Sequence, residues 1–497
     1  MSREHRRLVL GAIWTLSSTA VSLAVGIALR PIFVFYVGIE GYGTWAAALA
    51  IASLIGLVGD LGVGATLTRV AAERQGRNAE IGTLAASALL LAICMGALFG
   101  LILASLSGLI AQFLAFPGFG VLLLIQGIQM PINLGIAALA GLLQGRRRFR
   151  SLALFSIAQA SGNLVLAVTF LAVGLGLFGL MLASLATSAL VFGALVVHSR
   201  DLLRFSGLVA VGRDARQLLP FGLQLTGTNA LSTILYHADI VVLSLFVADP
   251  AVIGTYALAV FVTRSLWIVP GSISVTTYPV VSEYRAAQDG KRVAAYLTTA
   301  LVTSVAITGA FASGLVLFGR PLLGLLFGTA AVPAYELCLV LLFGTGALGS
   351  LRAVAPSIPG AGRPDIGLRI SALGASAVFA LSLVFTVTSR EVGTALAVSI
   401  SFASVAALLV WAIHRYVLAP NRGRWKVRRI ALTTAISLAA TASATLVALP
   451  EKAEATNVLL GLALWTSTLA VLGLASGGRE TWGRIFKRSR ASAQGRD

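Results

Sequence analysis

The chain has 497 residues, of which 58% are hydrophobic and only 11% charged, and its formal net charge is +19. A soluble domain carries about 25% charged residues, so a wholly water-covered surface is excluded and lipid must cover much of this one. The positive charge sits in short loops between apolar runs, not in a basic domain, which argues against nucleic acid and makes it a topology signal.

In chain order, the apolar stretches predict about 14 membrane helices, each needing about 20 apolar residues. They run over 9–37, 43–68, 82–105, 118–143, 151–173, 176–198, 217–247, 251–281, 293–318, 331–351, 367–388, 392–414, 430–449 and 455–476. No Asp, Glu, Lys or Arg occurs between Glu80 and Arg146, nor from Ser151 to Ser199. Each of those stretches is long enough for two passes. Turn signals divide the close pairs at Phe116-Pro117-Gly118, Gly174-Leu175-Gly176 and Asp249-Pro250. Apolar sequence begins at Leu8 and leads into another span, so the first helix is expected to stay as an anchor and not to be cleaved.

Nearly all of the 37 basic residues fall at the amino terminus, in loops after even-numbered spans, or in the carboxyl tail. Arg320, Arg390 and Lys452 fall on the other side, and Arg30 and Arg264 lie inside spans. Loops rich in Lys and Arg face the cytoplasm, so both termini are expected there. The expected setting is a bacterial cytoplasmic (inner) membrane.

Landmarks recur at a nearly constant offset. Gly43-Thr44-Trp45 opens the second span and Gly254-Thr255-Tyr256 the eighth. Ala160-Ser161 in the fifth matches Ala375-Ser376 in the eleventh, and Gly179-Leu180-Met181-Leu182-Ala183 in the sixth matches Gly393-Thr394-Ala395-Leu396-Ala397 in the twelfth. The fold expected is all-α and integral to the membrane: two six-helix lobes related by a parallel internal repeat, plus two C-terminal helices. The lobes would occupy 1–198 and 217–415, joined by a cytoplasmic linker at 199–216. Spans 13 and 14 would fill 416–478, and a basic tail 479–497. Parallel repeats of this kind build transporters whose substrate site lies between the lobes.

Ionisable side chains at membrane depth cost roughly 2.5–3.5 kcal/mol on insertion scales and usually face a cavity or a partner. Arg264 lies deep in the eighth span and is read as an anion contact in a cavity, with an internal ion pair as the alternative; a guanidinium forms paired, charge-assisted bonds to phosphate oxygens. Arg30 could do the same or reach the outer interface. Asp239 could pair with Arg30, and Asp60, in a Gly-rich turn, could mark a helix break, an ion pair, or coupling to H+ or Na+. Gln126, Gln129 and Asn133 share a face of the fourth span beside Pro131, where a kink is expected. Gln159 and Asn163 share a face of the fifth span, and Gln224 and Asn229 punctuate the seventh. Such amides would bond polar groups of a ligand in a hydrated interior, or neighbouring helices.

Other chemistries lack support. Gly174, Gly176 and Gly179 spell G-x-G-x-x-G with Asp201 beyond, but they form a turn between two membrane helices and not a strand-to-helix junction. Cys94 and Cys338 lie in apolar runs, and His5, His198, His237 and His414 show no ligand spacing. No cofactor or metal is expected. The tail from Arg479 to Arg496 suits anionic lipid, with a partner protein as the alternative.

Several motifs carry a family likeness. They are Trp14-Thr15-Leu16, the run Tyr36-Val37-Gly38-Ile39-Glu40-Gly41-Tyr42-Gly43-Thr44-Trp45, and Gly59-Asp60-Leu61-Gly62-Val63-Gly64. The second half offers Pro220-Phe221-Gly222, Asp239-Ile240-Val241-Val242-Leu243, Gly254-Thr255-Tyr256-Ala257-Leu258-Ala259 and Gly360-Ala361-Gly362-Arg363-Pro364. In their order and spacing, over residues 8–415, they resemble the polysaccharide-transporter (Wzx-type) branch of the multidrug/oligosaccharidyl-lipid/polysaccharide exporter superfamily. That resemblance implies a transporter and not an enzyme: a flippase moving a polyprenyl-pyrophosphate-linked oligosaccharide (an O-antigen, capsule or exopolysaccharide repeat unit) by alternating access, alone or with other polysaccharide-assembly proteins. Coupling to membrane potential, H+ or Na+ stays open. The alternatives are an ion-coupled multidrug or cation antiporter of the same superfamily, and a membrane glycan polymerase or ligase.

Overall fold

The computed structural model describes residues 3–59, 62–76, 80–116, 118–204, 227, 230–419 and 425–448. Among these, every regular element is a helix. In chain order they are α1 (Arg3–Gly59), α2 (Val63–Gly76), α3 (Gly82–Leu114), α4 (Phe119–Gly145), α5 (Phe149–Ala172) and α6 (Gly176–His198). Then come α7 (Ala230–Phe246), α8 (Pro250–Arg264), α9 (Ile268–Ala286), α10 (Gly290–Phe327), α11 (Ala334–Arg352), α12 (Ser357–Gly360), α13 (Pro364–Ala412) and α14 (Val427–Ala448).

Two of these are double. α1 breaks at Gly38, whose φ of 75° and ψ of 174° lie far from helical values; only glycine takes such a backbone at little cost. The break separates the first expected span from the second, which continues through α2. α13 breaks at Ser389 and Arg390, dividing the eleventh span from the twelfth and ending in a π-helical turn, Ile413–Leu418. Helix overlaps each expected span from 9–37 to 430–449 where it is described; 60–61, most of the start of 217–247, and 449 lie outside the described residues, as does the span at 455–476. Among the described residues, 9 helical stretches are long and apolar enough to cross a membrane. This is an all-α, multi-pass membrane protein.

The chain divides into two compact units, Met1–Ala257 and Leu258–Asp497. The division falls inside α8. Most of the expected 199–216 linker lies outside the described residues, though Arg204 closes one end of it with a backbone bond to Gly82 and a paired ion bridge to Glu80 at 2.8 and 2.9 Å.

The first unit is built on close backbone contact. Carbonyl oxygens of Gly127 and Gly100 fill the space a side chain would take on each other's helix, joining α3 to α4. Between α2 and α4 the Gly64 carbonyl fills that space at Gly141 and the Ala137 carbonyl fills it at Gly64, and the Thr68 hydroxyl donates to the Gly141 carbonyl at 3.1 Å. Small residues of this kind are how helices approach where the hydrophobic effect cannot drive them together. An apolar core containing Leu67, Leu84, Leu139, Leu142 and Val191 fills the interior of α2, α3, α4 and α6. α4 stays helical through Pro131, against which α3 presents Gly96.

In the second unit α11 pairs with α13 and α10 with α14. Ser399 of α13 reaches α11 twice: its hydroxyl donates to the Val340 carbonyl at 2.5 Å and accepts from the Gly344 amide at 3.2 Å. Gly309 of α10 gives room for Ser437 of α14.

Candidate functional site

Polar side chains of α1, α4, α5 and α6 converge in the first unit, around two adjoining cavities. One, of about 380 Å³, is lined by Ser22, Gln129, Asn133, Ser156, Gln159, Ala160, Asn163, Ser184, Thr187 and Ser188. Its wall contains no charged side chain. The other, of about 330 Å³, shares Gln129, Asn133, Asn163 and Ser184 with the first and adds Arg30, Gln126, Phe33, Trp45 and several apolar residues. Both fall within the roughly 300–1,000 Å³ usual for ligand pockets.

Helix geometry explains why these residues meet. Residues three, four and seven apart share one helix face; Gln126, Gln129 and Asn133 on α4 are so spaced, as are Gln159 and Asn163 on α5. α6 supplies Ser184, Thr187 and Ser188. The Gln129 side chain is buried and its amide donates to Ser184 Oγ at 2.9 Å and Ser188 Oγ at 3.1 Å, tying α4 to α6. Gln126 Nε2 donates to Met181 Sδ at 3.5 Å on the same pair of helices.

Arg30 enters from α1. Its guanidinium donates to the Gly26 carbonyl at 3.4 Å and lies beside the Tyr42 hydroxyl. Phe33, Tyr42 and Trp45 stack with centroids 5.3–5.6 Å apart. The cation therefore sits at an aromatic margin and the amides in a neutral interior.

The structure thus brings together Arg30, Gln126, Gln129, Asn133, Gln159 and Asn163. Gln224, Asn229 and Asp60 lie outside the described residues; α2 begins at Val63, after Gly62 with φ 61°. Asp239 is on α7, fully buried, and accepts a hydrogen bond from the Tyr256 hydroxyl at 2.9 Å.

Arg264 belongs to the second unit. Its guanidinium carbon is 5.7 Å from the Trp267 ring and 5.9 Å from the Phe402 ring. Arg352 lies 4.8 Å from the same Trp267 ring, whose indole N–H is held by the Thr345 carbonyl at 2.8 Å. Trp267 thus stands against two guanidinium groups, an arrangement stabilised by the ring quadrupole.

Sequence reasoning passed over Ser22, Ser156, Ser184, Thr187, Ser188 and the aromatic trio. A signal existed for α6, where Ser184, Thr187 and Ser188 recur at i, i+3 and i+4. Among the described residues no cluster of His, Cys, Asp and Glu has metal-holding geometry. The glycines at 174 and 176 have φ of 87° and 53° and close the turn between α5 and α6.

Residues 37–334 match the family described as polysaccharide biosynthesis protein. The chain is 25% identical over 361 residues to the succinoglycan biosynthesis transport protein ExoT of Rhizobium meliloti (strain 1021), covering 70% of this chain and 68% of that one. In fold it is similar to the lipid II flippase MurJ in an inward closed conformation, with a TM-score of 0.72 at 15% identity over 94% of this chain and 99% of that one. It is also similar to the eukaryotic MATE transporter AtDTX14, with a TM-score of 0.55 at 16% identity over 86% and 99% of the two chains.

Proposed function

The chain belongs to the polysaccharide biosynthesis protein family, and on that premise we propose that it is a flippase for a polyprenyl-pyrophosphate-linked oligosaccharide, moved from the inner to the outer leaflet of a bacterial cytoplasmic membrane by alternating access. The observation that carries this reading is the polar enclosure in the first unit, where Arg30 adjoins a wall of neutral amides and hydroxyls inside helices that are otherwise apolar. An O-antigen, capsule or exopolysaccharide unit would suit it. The Rhizobium relative is named for succinoglycan, which favours an exopolysaccharide.

The chemistry follows from the parts. A pyrophosphate presents paired oxygens to a planar guanidinium fork, the role assigned to Arg30 in the first unit and to Arg264 in the second. Sugars offer hydroxyls to amides, and the polyprenyl tail stays in lipid. Moving each negative charge outward across a negative-inside potential releases about 2.3 kcal/mol per 100 mV. The potential can therefore drive export without chemistry on the substrate, and the protein acts as a transporter and not as a glycan polymerase or ligase. Asp239 and Asp60 are the carboxylates through which H+ or Na+ would couple.

The MATE likeness raises a second reading, a cation antiporter. The cavity walls weigh against it, since neither contains a carboxylate among the described residues and one carries Arg30, whose charge repels a cation. The discriminating experiment deletes the gene and extracts membrane lipids. Accumulation of a polyprenyl-linked oligosaccharide facing the cytoplasm is expected. Unchanged lipid-linked intermediates together with increased drug sensitivity would replace the flippase by the antiporter.

A further inference from the structure

The neutral cavity in the first unit holds more acceptors than its own donors satisfy. Gln129 spends its amide N–H groups on Ser184 and Ser188. Its Oε1 is buried with no hydrogen-bond partner, as are Asn163 Oδ1 and the Thr187 hydroxyl, which can accept as well as donate. The three residues come from three helices, α4, α5 and α6, and all line the same cavity of about 380 Å³. Buried polar atoms are nearly always bonded, and each one left unbonded carries a penalty worth roughly 5- to 150-fold in an equilibrium constant. Three such oxygens around one enclosure are unusual enough to require a source of donors.

The wall's charge says what that source is. A carboxylate ligand would bring further acceptors, and a cation would want an acid, which the wall lacks. A neutral group with several O–H or N–H donors fits. The adjoining cavity shares Gln129, Asn133, Asn163 and Ser184 and carries Arg30, so a phosphate beside Arg30 would direct whatever is bonded to it toward the neutral wall.

We infer that this cavity is a recognition subsite for the sugar ring next to the pyrophosphate, with Gln129, Asn163 and Thr187 accepting from its hydroxyl or acetamido donors. The inference rests on the transport reading above and adds to it a specificity that the first sugar determines. A site built to bond substrate donors discriminates against the analogue lacking them, because its own buried groups are then left without partners.

The test measures binding to the full-length protein in nanodiscs. The probes are undecaprenyl pyrophosphate and the same lipid carrying one glucose, galactose or N-acetylglucosamine. At least one glycosylated lipid should bind on the order of tenfold tighter than the bare lipid. Asn163→Leu and Thr187→Val should each remove most of that advantage; Thr187 does not line the cavity that holds Arg30, so Thr187→Val should also leave binding of the bare lipid unchanged, which reports an intact fold. The subsite is overturned if no sugar confers an advantage, in which case water holds the acceptors, or if both variants keep it. Failure of the wild-type protein to bind any of these lipids would instead remove the transport reading itself.

Discussion

Gly43 and Gly254 meet backbone to backbone: a side-chain carbon at Gly43 would overlap the Pro250 carbonyl oxygen, and one at Gly254 the Ile39 carbonyl oxygen. Each glycine is followed by a threonine whose hydroxyl bonds back one turn, Thr44 to Glu40 at 3.0 Å and Thr255 to Ala251 at 2.8 Å. The contact is therefore reciprocal, each glycine making room for a carbonyl of the other's helix. This is a structural reason for glycine at both positions, separate from turn geometry.

Gly43→Ala and Gly254→Ala should each lower the thermal midpoint of the purified protein, since overpacking costs about 1–3 kcal/mol. Because both substitutions push apart the same pair of helices, the double variant should lose less than the sum of the two, with a coupling of roughly 0.5–3 kcal/mol. Strictly additive losses would mean that the glycines do not share one contact.

Much of this architecture can be read from the sequence because lipid enforces a simple rule: apolar runs span and charges stay in loops. The same rule made Arg30, Gln126, Gln129, Asn133, Gln159 and Asn163 conspicuous. Serine and threonine are another matter. They can bond their own helix, as Ser156 does to Leu152 and Thr169 to Val165, so their presence in a membrane helix does not reveal whether they face a cavity, and Thr187 and Ser188 stayed hidden. The setting of Arg264 was hidden too. Trp267 lies only three residues beyond it, but Phe402 and the second guanidinium, that of Arg352, come from α13 and α11, and only tertiary packing brings those in.

Tyr256→Phe deletes a hydroxyl that donates to the fully buried Asp239 carboxylate. Removing one partner of a buried hydrogen bond leaves the other's desolvation uncompensated, about 1–3 kcal/mol. The midpoint of thermal unfolding should fall, and Tyr256→Phe combined with Asp239→Asn should cost less than the two single losses added. A Tyr256→Phe protein as stable as wild type would show that the bond contributes nothing net.

Asp201 offers a pH-dependent test outside the membrane spans. A hydrogen bond from the Arg148 guanidinium, 2.8 Å away, holds its carboxyl below the ordinary carboxylate value. A depressed folded-state pKa means the contribution is present in full above the unfolded value, about 3.9, and is lost as pH falls through the folded one. The pair is half-exposed, so its effect is small. Between pH 3 and 7, the unfolding midpoint of Asp201→Asn should fall less steeply on the acid side than that of wild type; parallel curves would remove the Arg148 bridge from the account.

Arg30 separates a substrate contact from a structural one. Reconstituted with a fluorescently tagged polyprenyl-pyrophosphate oligosaccharide, Arg30→Ala should lose measurable flipping at undiminished protein abundance. Arg30→Lys keeps the charge but not the fork, and should retain activity reduced on the order of tenfold, since a charge-assisted hydrogen bond is worth about 1.5–3 kcal/mol. The control is Tyr42→Phe, which takes away the hydroxyl beside the guanidinium and touches no sugar or phosphate. If Arg30 serves the substrate, flipping by Tyr42→Phe stays near wild type while Arg30→Ala fails. Equal losses in both variants would instead make the arginine a strut for the Phe33, Tyr42 and Trp45 stack, and the anion would have to be held elsewhere.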